Sequence, residues 1–141
     1  MKRAIKILVL LVASCLLFAS CNNKTAINSI AISDTSWKLL KTVTSENGVE
    51  VNTWYPSTQG LTVTYEFDSD GEVMRNERGT TGLGTHMRGT WVIDDNKLIV
   101  SFTTGYHTYN IEKAGILELI LSETYAQNGH TFVDVLTFQK E

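Results

Sequence analysis

The chain has 141 residues, with 12 Lys plus Arg against 15 Asp plus Glu, a formal net charge of −3 and a single proline. That length gives room for one domain behind a leader. The mildly acidic balance disfavours a nucleic-acid partner, which needs a concentrated basic surface. The first element is a leader over residues 1–20: Lys2, Arg3 and Lys6, an apolar run from Ile7 to Phe18, then Ala19 and Ser20 directly before Cys21. A basic end, a short apolar middle and a small-residue cut site describe an export signal that is removed. The run has 12 residues, while a membrane-crossing helix needs about 20, so a cleaved signal fits better than a permanent span.

The segment Leu17-Phe18-Ala19-Ser20-Cys21 resembles the bacterial lipobox. The resemblance implies that Cys21 carries a diacylglycerol on its thiol and a further acyl chain, palmitate or a similar fatty acid, on its freed amine. Several acyl chains hold a protein on a membrane far more firmly than one. The expected partner at this end is therefore the membrane itself. The alternative is an ordinary secretory signal cut after Ala19 or Ser20, with Cys21 an idle thiol. Asn22 is not the Asp associated with inner-membrane retention, and no acidic cluster follows Cys21, which points to the outer membrane with the protein facing the periplasm. With Cys15 lost and Cys21 lipidated, no thiol remains for a disulfide, and the domain must be stable through its core alone. Loss of three cations leaves 9 Lys plus Arg against 15 Asp plus Glu, about −6 once the amine is acylated.

Residues 21–33 read as a flexible tether, polar at Asn22, Asn23, Lys24, Thr25, Asn28 and Ser29. The domain is expected to start near Asp34 and run to Glu141. Within it the hydrophobic period is two. Leu61, Val63, Tyr65 and Phe67 alternate with Thr62, Thr64, Glu66 and Asp68, as in a strand with one buried face. Leu98, Val100 and Phe102, then Leu117, Leu119 and Leu121, repeat the pattern. Turn residues fall between the runs at Asp70-Gly71, Asp94-Asp95-Asn96, Thr104-Gly105, Lys113-Ala114-Gly115 and Asn128-Gly129, which is hairpin chemistry. Nine strands are expected at 36–44, 49–55, 61–68, 72–78, 87–94, 97–103, 106–112, 116–125 and 131–139, with no helix. Sequential hairpins form an up-and-down meander whose exposed edges disappear on closure, so the fold class is all-β, an antiparallel up-and-down barrel of about eight strands.

Ser36-Trp37-Lys38-Leu39, the run from Leu61 to Gly71, Gly89-Thr90-Trp91-Val92-Ile93, Tyr109-Asn110-Ile111 and the final Leu136-Thr137-Phe138 together resemble the small lipocalin-like domains of bacterial lipoproteins. The resemblance covers about Thr35 to Lys140 and implies the same closed barrel.

An eight-stranded barrel has an interior that side chains can fill or that holds one small ligand. The bulk of the expected inward residues weighs toward filling. If a cavity exists, its mouth is expected from Thr53–Gly60 and from Gly79–Gly89, where four glycines permit unusual backbone angles. Candidate ligand-contacting residues are Trp37, Trp54, Tyr55, Tyr65, Phe67, Trp91 and Phe102. Glu66, Asp68, Asp70, Gly71, Val73 and Glu77 mimic the spacing of a calcium loop, but they fall on an alternating strand where that loop requires a helix, and the same letters make an ordinary hairpin turn. His86, His107 and His130 have no close ligand spacing and are expected on the surface or in loops. Phosphate-loop, zinc-protease and nucleophile-elbow motifs are missing. The chain is thus expected to be a non-catalytic binding module for a small apolar ligand, without cofactor or metal. The alternative is an envelope interaction or assembly subunit with a filled barrel and an exposed aromatic patch at Trp54 and Tyr55.

Overall fold

The computed structural model describes residues 28–141; the expected signal, Cys21 and residues 21–27 of the expected tether lie outside them. Nine strands follow in chain order: β1 Thr35–Glu46, β2 Val49–Trp54, β3 Leu61–Phe67, β4 Glu72–Gly79, β5 Gly84–Asp94, β6 Lys97–Phe102, β7 Gly105–Ala114, β8 Glu118–Gln127 and β9 His130–Lys140. Each lies within three residues of its expected limits. Every pairing is antiparallel, and β9 pairs with β1 from Trp37↔Lys140 to Glu46↔Phe132, which closes the barrel. Two hairpins turn on Asn-Gly pairs with both residues at positive φ, Asn47-Gly48 (49° and 83°) and Asn128-Gly129 (51° and 81°). This is the turn whose twist matches that of the flanking strands.

The expected simple meander needs one correction. The first part of β1, Thr35–Lys38, pairs with β3, whereas its later part, Thr42–Glu46, pairs with β2. β2 and β3 therefore run in the same direction, end to end, along one edge of β1. The 3₁₀ turn Pro56–Gln59 separates them and ends at Gly60 with φ 66°. Pro56 has no N–H to give a ladder, so the strand breaks there, and nine strands make eight staves.

The tether is corrected as well. Residues 28–32 form a helical turn, and Ile32 is fully buried beneath the barrel. Trp37 donates its indole N–H to the Ile32 carbonyl at 3.1 Å, and the Asn28 amide donates to Asn96 Oδ1 at 3.3 Å. Asp34, at φ 51°, turns the chain up into β1, and its N–H donates to the Phe67 carbonyl. An apolar residue spaced to cap the barrel end binds this stretch to the domain, so the folded unit already includes Asn28.

Above this plug the alternating inward residues fill the closed half. Trp37, Phe67, Leu98, Leu119, Leu121 and Phe138 are essentially inaccessible to solvent, each contributing about 1.5–3 kcal/mol by burial. Phe67 meets Trp91 edge-on at 5.5 Å between centroids, and Tyr65 meets Phe138 likewise at 5.4 Å. Trp91 donates its indole N–H to the Asp68 carbonyl at 2.9 Å. At Gly89 the long β5 leaves β4 and continues beside β6. A Cβ there would stand inside van der Waals contact with the Ser101 carbonyl and 2.8 Å from the Phe102 ring; only glycine lets that ring cross the strand.

Candidate functional site

Strand parity carries the inward face from the filled half toward the other end. On β4, Val73 is buried, so Arg75 and Glu77 also point inward; on β8, Leu119 and Leu121 are followed by Glu123 and Tyr125. On β7, Tyr109 and Ile111 fix His107 as inward, and on β9, Leu136 and Phe138 fix Asp134 and Phe132. After the bulge between Leu39 and Lys41, β1 presents Thr42 and Thr44 inward, opposite Leu136 and Asp134. The inner wall thus changes from apolar to polar halfway along the barrel. Solvent exposure changes with it: Arg75, Glu77 and Glu123 have side chains 21%, 33% and 25% exposed. Inward side chains of a closed barrel reach water only through its mouth, so this half is an open cup and the expected filling applies to the other half alone.

The floor of the cup is Tyr65 and Tyr109. The Arg75 guanidinium lies 5.8 Å from the centroid of the Tyr65 ring and pairs with Glu77. Burial pushes the Tyr65 hydroxyl above its ordinary pKa, with Arg75 pulling back. Burial pushes Tyr109 well above it, with the charge on a neighbouring Tyr65 or Glu123 adding to the effect. Tyr109 is 6% exposed. Its ring stacks on His107 at 5.7 Å, and His107 Nδ1 lies 3.1 Å from Glu123. Thr44 donates to Asp134 at 2.6 Å. Arg75 pairs with Glu77, Glu123 with His107, and Asp134 accepts from Thr44, so the carboxylates of the cup outnumber its one guanidinium.

Aromatic rings line the upper wall. Tyr125 and Phe132 stack at 5.6 Å, and Trp54 and Phe102 pack half-buried against the core. The β4–β5 turn adds a recess of about 280 Å³ lined by Leu61, Glu77, Gly79, Leu83, Gly84 and Thr85. The wall is uneven. β6 ends opposite Gly89, so residues 84–88 of β5 stand above it, and β7 pairs with β8 only over Asn110–Ala114.

Of the candidates drawn from sequence, Tyr65, Trp54 and Phe102 reach the cup. Trp37, Phe67 and Trp91 belong to the filled half and have no face free for a ligand, and Tyr55 lies exposed at the end of β2. Of the expected mouth segment Gly79–Gly89, the turn at Gly79–Gly84 lies at the open end, whereas Gly89 lies deeper, paired with the buried Val73. Sequence reasoning missed Arg75, Glu77, Tyr109, Glu123, Phe132 and Asp134. The signal was present as parity: each sits an even number of residues from a buried apolar position on its own strand. His107 and His130 are exposed, as expected of surface histidines, but they sit on strands with their side chains on the inward face, His130 Nδ1 at 2.5 Å from Glu46. The six calcium-loop positions do not converge: Glu66 accepts from Asn76, Asp70 caps the Glu72 N–H, Val73 is core and Glu77 pairs with Arg75.

No family model matches the chain, and no curated protein matches it. Solved structures do. A lipocalin-like protein from Bacteroides uniformis superposes with a TM-score of 0.57 at 14% identity, over 79% of this chain and 99% of that one. An uncharacterized protein from Bacteroides eggerthii gives 0.52 at 13% identity, over 76% and 98%. Lobster apocrustacyanin A1 gives 0.55 at 11% identity, over 87% and 68%. With so few shared residues these likenesses speak to architecture alone, and the architecture is a small lipocalin-like barrel.

Proposed function

We propose that this chain is a lipid-anchored, non-catalytic envelope module that holds one small amphipathic molecule in the open half of its barrel. The expected ligand gains a head from the structure. Its apolar body lies against Trp54, Phe102, Tyr125 and Phe132, and its polar end carries a positive charge or hydrogen-bond donors toward Glu123 and Asp134. The observation that carries this reading is the inner wall of the open half, where Glu77, Glu123 and Asp134 outnumber the single arginine, which pairs with Glu77. Bringing a ligand carboxylate there would set like charges together in a shielded space, at a cost that an ammonium avoids. Aromatic faces add attraction for a cation. Anchoring rests on Cys21 and its surroundings, and an outer-membrane, periplasm-facing position on Asn22.

Two probes with one ring system and opposite charge test the reading. 1-Naphthylmethylamine is expected to bind, with quenching of tryptophan fluorescence, and to weaken by at least about tenfold in Glu123→Gln/Asp134→Asn, in line with the loss of a charge-assisted contact of about 1.5–3 kcal/mol. 1-Naphthylacetate is expected not to bind. Preference for the acetate, or equal binding by the double variant, overturns the assignment. Mass analysis of the N-terminal peptide tests the anchor, which fails if Cys21 carries no lipid.

A further inference from the structure

The end of the barrel opposite the cup carries a cluster of exposed apolar side chains. Ile30, on the helical turn, is 78% exposed, and Ile116 and Leu117, in the β7–β8 turn, are 85% and 69% exposed. Single exposed apolar residues are ordinary. These three come from two segments that sequence separates and the fold brings side by side. Ile30, Ala31, Thr35, Ala114, Gly115 and Ile116 line one shallow recess of about 430 Å³, with Lys140 at its edge. The Leu117 carbonyl accepts the Lys140 N–H at 3.0 Å, which ties the turn to the last strand. Lys113 projects beside them and pairs with Glu118 at 2.5 Å.

From these residues we infer that the closed end is a membrane-seating surface: Ile30, Ile116 and Leu117 rest in the interface of the bilayer that holds the anchor, and the cup faces away from it. The inference rests on the lipid-anchor reading and assigns it an orientation. The described domain begins at Asn28 on this same end, seven residues after Cys21. Seven residues span at most about 25 Å. β1 has 12 residues, a rise of about 36 Å along the strand and nearer 28 Å along the axis of a barrel with ordinary tilt. A tether shorter than the barrel keeps the end it leaves from against the membrane. Lys113 and Lys140, at the edge of the apolar cluster, can lay their methylene stems along the interface with their amines at the headgroups.

The test places an environment-sensitive nitrobenzoxadiazole label at Ile116→Cys on the seating face or at Leu83→Cys on the opposite rim. The mature lipoprotein is reconstituted in phosphatidylcholine/phosphatidylethanolamine vesicles containing brominated lipid. In a second preparation a histidine tag replaces residues 1–20 and Cys21 is Ser, so that nickel-chelating lipid holds the chain without acyl groups. The expected result in both is a blue shift and bromine quenching at 116, neither at 83, and loss of the contrast in Ile30→Asp/Leu117→Asp. A label at 116 that reads water as fully as one at 83 overturns the seating, as does protection of 116 by self-association measured by sedimentation without vesicles. An unlipidated Cys21 with the contrast intact in the tagged chain overturns the anchor and leaves the seating standing.

Discussion

His107 on β7 reaches Glu123 on β8 at 3.1 Å, beyond the last rung at which the two strands pair. The side chains bridge a slit that the backbone ladder leaves open. One face of the imidazole lies on Tyr109, so the same residue lines the cup and spans its side wall. The ladder here is short and the side chains are half-exposed, and local opening is drawn from such places.

His107→Ala is therefore expected to change global stability little, by about 0–1 kcal/mol for an exposed pair, and to raise hydrogen exchange selectively in residues 105–109. Exchange measured by mass spectrometry checks it; uniform acceleration across all strands would show that the contact supports the whole barrel.

Alkaline pH is expected to unfold the protein earlier than its charge alone implies. Tyr65 and Tyr109 are both held above the ordinary value of 10.0 by burial. Below pH 10 both are protonated in the folded and unfolded chains, and their contribution is complete. Above it the unfolded chain releases their protons while the fold retains them, so stability falls by up to about 1.4 kcal/mol per pH unit for each. Tyr109→Phe should remove about one proton's worth of that slope between pH 10 and 11.5 in urea titrations, and an unchanged slope would contradict the assignment.

Gly89→Ala is expected to destabilise by at least about 2–3 kcal/mol, since its Cβ meets the Ser101 backbone, which cannot swing aside. Gly48→Ala has open space around it and only the positive φ of 83° to oppose it, so about 1 kcal/mol is expected. Denaturant midpoints of the two variants test the difference.

Trp37→Phe removes the indole donor to Ile32 and leaves a buried carbonyl without that partner. A loss of about 2–4 kcal/mol is expected from the missing bond and the cavity together. Residues 28–33 should then exchange freely while the strands stay protected. If they remain protected, the hydrogen bond is not what holds the plug in place.

Most of the barrel was legible because period-two patterning and turn chemistry act locally: Val63, Tyr65 and Phe67 need only their own strand to declare a face. The plug was not legible. Ile27, Ile30 and Ile32 show some pattern in the sequence, but what makes Ile32 core while Ile30 stays exposed is the open barrel end beneath Trp37, a tertiary fact. The inner wall was read incompletely for a related reason. Aromatic size was read as a ligand signal, but Trp37, Phe67 and Trp91 are large because the closed half needs filling. Arg75, Glu123 and Asp134 were not singled out, and only their parity with Val73, Leu121 and Leu136 reveals that they face inside.

The splice between β2 and β3 separates closure from the rim. β1 divides that edge between two partners, so the lower ring closes through β3 alone, while β2 covers the later half of β1 and brings Trp54 against the core.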